Sequence, residues 1–144
     1  LNQFIDATRL FSTFGGNTVA CAAGNAVIDV IERDELIENG RTVGDYLRDR
    51  LRELAETHLL IGDVRGHGML AGLEFVTDRD TRAPATEETS RLLELMRQRH
   101  VLVGSEGRDG NILKLRPSLV FSIENADEFV EALDGALTEL ATTR

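Results

Sequence analysis

Cysteine is nearly absent from this chain: Cys21 stands alone among 144 residues, so an internal disulfide is excluded and a reducing cytoplasm is the expected setting. Long apolar runs are missing too. Nothing approaches the roughly 20 consecutive apolar residues that a membrane-spanning helix needs. Positive charge is scarce, with 16 Lys and Arg against 25 Asp and Glu, a formal net charge of −9. That balance argues against a nucleic-acid or anionic-membrane partner and leaves room only for a local basic pocket. His58, His67 and His100 show no ligand spacing with one another or with Cys21, so neither a zinc centre nor a hydrolase triad is expected. The stretch 78–84 holds Asp78 and Asp80 but no third acid at useful spacing, and reads as a surface loop. The chain opens at Leu1, without the basic and apolar regions of a secretion signal, and the expectation is a piece of a longer protein.

What is present fits one ordinary domain with a core, at 42% hydrophobic residues. Residues 1–12 carry no period. Val19, Ala22, Ala23, Ala26, Val27, Val30 and Ile31 then recur at helical spacing and predict a buried stripe, with Cys21 filling space among small residues. Asp34 is a candidate cap for a second helix over 35–57, with Val43, Leu47, Leu51 and Leu54 inward and a break possible near Asn39-Gly40. From Leu60 the period becomes two. Strands are expected over 61–65 and 69–76, joined by a turn or bulge at Gly66-His67-Gly68. A helix capped by Thr86, with Leu92, Leu93 and Met96 inward, precedes strands over 101–104 and 112–116. A last helix carries Ala126, Phe129, Val130, Leu133, Leu137 and Leu140, with Ser122 or Asn125 as cap and Glu128 completing a box with Asn125. This order predicts an α/β fold, a two-layer α/β sandwich with a mostly antiparallel sheet.

Two places could carry chemistry. In Ser12-Thr13-Phe14-Gly15-Gly16-Asn17, glycines allow close backbone approach, Ser12 and Thr13 offer hydroxyls, and Asn17 can cap the helix starting at Thr18. A helix start of this kind favours an anion, although a Gly-Gly turn is also ordinary loop chemistry. In the strand 112–116, Lys114 and Arg116 fall on one face with no acid between them. They either await an anion or form a plain solvated face.

The run from Ser12 to Ala23 resembles the loop and helix start of class III aminotransferases, pyridoxal-phosphate enzymes of fold type I, with Thr18 where their usual Pro stands. Ile61 to Gly68, Gly72-Leu73-Glu74 and Gly110 to Pro117 follow in the family's order. The resemblance implies that residues 1–17 belong to the large cofactor-binding domain and carry its phosphate-contacting loop. Residues 18–144 would be the C-terminal small domain of an ornithine or alanine-glyoxylate type enzyme. It further implies pyridoxal 5'-phosphate as cofactor, an amine or amino-acid substrate, and a homodimer whose loop reaches the neighbouring subunit. Thr13, and beside it Ser12, would contact the cofactor phosphate, with Phe14 near the pocket. Lys114 stands where members acting on α-amino acids usually place an Arg for the substrate carboxylate, and it offers charge without the bidentate fork. The pattern around it also resembles the phospho-lyase branch, which acts on amino-alcohol phosphates. Lys114 is the only lysine and does not occupy the position of the Schiff-base lysine, so no catalytic residue is assigned and the fragment should be inactive alone. Arg65 matches a position usual in the family and is expected to support the turn. A rival is a non-catalytic module that binds a small anion at Thr13 and Lys114.

Overall fold

A computed structural model describes residues 12–142; residues 1–11 of the segment without a period, and residues 143–144, lie outside them. Two compact units divide after Glu35.

In the first unit, α1 (Thr18–Arg33) begins where expected because the Asn17 side chain accepts from Ala20 N–H at 3.0 Å. Its apolar stripe is not buried. Val19 is 76% and Val27 58% exposed, and Cys21 is exposed rather than space-filling. Helical periodicity marks a face able to be covered; it does not supply the cover. Asp34 ends α1 instead of capping the next helix, and its carboxylate is held by Arg33 at 2.8 Å. That bond keeps the Asp34 carboxyl below its ordinary range.

The second unit contains α2 (Leu36–Thr57), β1 (Ile61–His67), β2 (Leu70–Asp78), β3 (Ala83–Pro84), α3 (Thr86–Gln98), β4 (Ser105–Glu106), β5 (Ile112–Leu115) and α4 (Ile123–Thr142). Strand order is β1-β2-β5-β4, with β3 also on β2, and every ladder is antiparallel. Leu73, Phe75, Leu113 and Leu115 point from the sheet into one core with Leu47 and Leu51 of α2, Leu92 and Met96 of α3 and Leu133 of α4. The unit is the expected two-layer α/β sandwich. Burial of each such side chain contributes about 1.5–3 kcal/mol, offset by the entropy of ordering it.

Several local expectations change. α2 runs unbroken through Gly40 and Gly44, because these glycines serve contact rather than bending. A Cβ on Gly44 would lie 2.0 Å from Gly68 O, and one on Gly40 would lie 3.2 Å from Leu119 Cδ2. Arg48, a charged residue of this helix, is buried and donates to Gly68 O and Asp45. The first strand extends through Gly66 to His67, so the turn falls at Gly68-Met69. Gly68 has φ +52, a value glycine adopts without strain. Thr86 does not cap α3: Ala85 takes that position, and the Thr86 hydroxyl donates to Asp109 O at 2.7 Å. Residues 101–104 form no strand. Val101 N–H donates back to Met96 O at 3.0 Å as the chain leaves α3, and pairing with β5 starts only at Ser105. The box at α4 joins Ser122 and Asn125, each donating its N–H to the other's side chain at 3.2 Å, in place of Asn125 and Glu128.

Candidate functional site

The loop before α1 is shaped by its own hydrogen bonds. Gly15 N–H donates to Ser12 Oγ at 3.0 Å, and Asn17 N–H donates to Phe14 O at 3.1 Å. Gly15 must be small, since a Cβ there would sit 3.0 Å from Ser12 Cβ, and Gly16 has φ +78. Ser12 is therefore engaged in the turn as an acceptor. Thr13 is exposed, and its hydroxyl has no partner among the described residues, nor do the N–H groups of Thr18 and Val19 at the start of α1. Phe14 is 81% exposed. A hydroxyl, free amides, the positive end of a 16-residue helix and no carboxylate within the loop make a donor set that fits a phosphate group.

The second candidate lies in the other unit, on the sheet face turned away from the helices. Register places Arg65 opposite Gly72 and Gly72 opposite Lys114, so two cations flank a position with no side chain. The neighbouring row is acidic, with Asp63 opposite Glu74 and Glu106 opposite Ile112. Arg65 bonds both Asp63 and Glu74 at 2.7 Å, and these hydrogen bonds raise the guanidinium's pKa above its ordinary value. It braces the middle of the hairpin rather than the turn. Lys114 Nζ meets Glu106 Oε1 at 3.1 Å, so the acid missing between Lys114 and Arg116 in sequence comes from the adjacent strand. Arg116 is exposed and has no partner among the described residues. Sequence reasoning missed Glu106, because cross-strand register decides which acid faces which base.

The class-III aminotransferase model matches residues 1–137. The chain belongs to the class-III aminotransferases. Among relatives of this family member, the mitochondrial alanine–glyoxylate aminotransferase 2 homolog 2 of Arabidopsis thaliana is 45% identical over 130 residues, 90% of this chain and 27% of that protein. A phospholyase from Arthrobacter, solved in complex with phosphoethanolamine, superposes with a TM-score of 0.85 at 36% identity, over 95% of this chain and 32% of that one. An amine transaminase from an uncultivated Pseudomonas species, solved in its PLP-bound form, gives 0.78 at 34% identity, over 90% of this chain and 29% of that one. The chain thus spans less than a third of each of these proteins. No helix among the described residues is long and apolar enough to cross a membrane, and no acidic, histidine or cysteine cluster there could hold a metal.

Proposed function

We propose that the chain is the C-terminal portion of a pyridoxal-phosphate-dependent class III aminotransferase. The whole protein would transfer an amino group between an amine or amino acid and a 2-oxo acid. The observation that carries the cofactor assignment is the Thr13 hydroxyl beside the first amides of α1, all without a partner among the described residues, a cradle for an anion in a chain of this family. When bound, the cofactor supplies the electron sink for amino-group chemistry. Thr13 would hold its phosphate, with Ser12 shaping the turn through Gly15 and adding its own O–H. The covalent anchor would come from outside these residues, because Lys114 is the only lysine and is paired with Glu106. The fragment would be inactive alone.

Lys114 would attract the substrate's anionic group by charge, competing with Glu106 for it. Because an ammonium grips without a fork, phosphate suits it as well as carboxylate. This favours a second reading, phosphate elimination from an amino-alcohol phosphate, which the similarity to the Arthrobacter phospholyase also supports. We further place the enzyme as a cytoplasmic homodimer in which the Ser12–Asn17 loop serves the neighbouring subunit. A substrate screen of the full-length protein that follows 2-oxo acid formation and phosphate release tests both readings. Oxo acid without phosphate supports transfer, phosphate release supports elimination, and a protein that never takes up the cofactor overturns both.

A further inference from the structure

Three places in the chain put glycine directly after asparagine or aspartate: Asn39-Gly40, Asp109-Gly110 and Asp134-Gly135. Such a pair is chemically reactive, because glycine has no side chain to bar its amide nitrogen from the carbonyl carbon of the preceding side chain. The fold treats the three differently. Gly40 lies inside α2 and Gly135 inside α4, where the helix fixes the backbone and engages the amide nitrogen. Their preceding side chains are held as well. Asn39 Nδ2 donates to Leu119 O at 2.7 Å and Phe121 O at 3.1 Å, and Asp134 Oδ1 lies 2.6 Å from His58 Nε2.

Asp109 has none of these restraints. It is exposed in the loop 107–111 between β4 and β5, and its carboxylate has no hydrogen bond or ion pair among the described residues. Gly110 N–H reaches only Gly107 O, at 3.4 Å, longer than a usual amide hydrogen bond. The space around Gly110 is open, since a Cβ there would find nothing nearer than Ser105 Oγ at 3.9 Å.

We propose that Asp109-Gly110 is a site of spontaneous isoaspartate formation. Gly110 N attacks Asp109 Cγ; the N–Cγ bond forms as the carboxyl C–OH bond breaks, and the amide proton leaves with the hydroxyl as water. Water then adds to the Asp109 main-chain carbonyl carbon of the succinimide ring. The bond from that carbon to Gly110 N breaks, and a proton returns to the nitrogen. Product and starting chain have the same atoms, so no oxidant or cofactor takes part, and the proposal does not rest on the amino-transfer reading. The main chain now runs through Cβ and Cγ and gains an atom in the hairpin that carries the Lys114–Glu106 pair. The former carbonyl, which accepts from the Thr86 hydroxyl at 2.7 Å, becomes a carboxylate at the first turn of α3, where the helix dipole favours an anion.

Peptide mapping of the full-length protein, held folded at neutral pH and separately in urea, tests the proposal. In the folded protein the peptide that spans Asp109-Gly110 should split into two chromatographic forms of equal mass. The new form should accept a methyl group from S-adenosylmethionine through an isoaspartyl methyltransferase. Conversion there should outpace that at Asn39 and Asp134 by at least about tenfold, because a site inside a helix reacts only in its locally opened fraction. In urea the order should reverse and put Asn39 first, since a carboxamide expels ammonia more readily than a carboxyl group expels water. Asp109→Glu, which would have to close a six-membered ring, should remove the second form. No second form at Asp109, a rate at Asn39 or Asp134 that matches it in the folded protein, or a second form that persists in Asp109→Glu overturns the proposal.

Discussion

Lys114 and Glu106 face each other across two antiparallel strands, Nζ to Oε1 at 3.1 Å, and both side chains are open to solvent. An exposed pair of this kind contributes at most about 1 kcal/mol, so an incoming anion can compete for the lysine. In the full-length enzyme, Glu106→Gln should lower KM for an anionic substrate by up to about fivefold, and Lys114→Ala should raise it. Steady-state kinetics decide: a KM unmoved by both substitutions makes the pair a surface ion pair and nothing more.

Thr13→Ala removes a loop hydroxyl that has no partner among the described residues, while the bond from Gly15 to Ser12 stays intact. Cofactor should be lost faster during dialysis of the full-length protein, with affinity falling about tenfold for one charge-assisted hydrogen bond. Ser12→Ala should instead loosen the turn. Absorbance of retained cofactor measures both, and wild-type retention in Thr13→Ala removes the phosphate assignment.

Gly44→Ala places a methyl group 2.0 Å from Gly68 O, a contact with backbone that cannot swing aside. The expected loss is about 3 kcal/mol, the upper end of overpacking. Urea denaturation should show a lower midpoint, and an unchanged one would mean that α2 and the β1–β2 turn can separate freely.

Tyr46 donates to Asp127 Oδ1 at 2.8 Å and joins α2 to α4. That bond raises the phenol's pKa, as does its partial desolvation. The folded value lies above the unfolded value of about 10, so this contribution to stability is complete below pH 10 and is lost as pH rises through the folded value. Tyr46 is the only tyrosine, and tryptophan is absent, so tyrosinate absorbance reports this group alone. Its titration midpoint should exceed 10 and should fall in Asp127→Asn; an unchanged midpoint in that variant assigns the shift elsewhere.

Legibility in the sequence followed the range of the interaction. Val43, Leu47, Leu51 and Leu54 announce an inward helix face by spacing alone, and all four are buried. The class of fold followed from such periods. Gly40 and Gly44 misled, because a glycine that permits close contact with a distant turn is spelled like one that breaks a helix. Arg48 misled in the same way, since its burial depends on Gly68 O, twenty residues on. At the candidate site, the Ser12–Asn17 loop and its cap were local and readable. The partner of Lys114 depends on strand register, which no local pattern encodes.

Arg79 reaches back to accept none and donate to several carbonyls, among them Leu59 O at 3.1 Å and Ile61 O at 2.8 Å, where α2 gives way to β1. Its guanidinium replaces, with one side chain, the water that would otherwise satisfy a helix exit. Because every acceptor is a main-chain carbonyl, a chimera that joins residues 36–61 of one relative to 70–84 of another keeps this brace wherever the second parent carries an arginine at position 79.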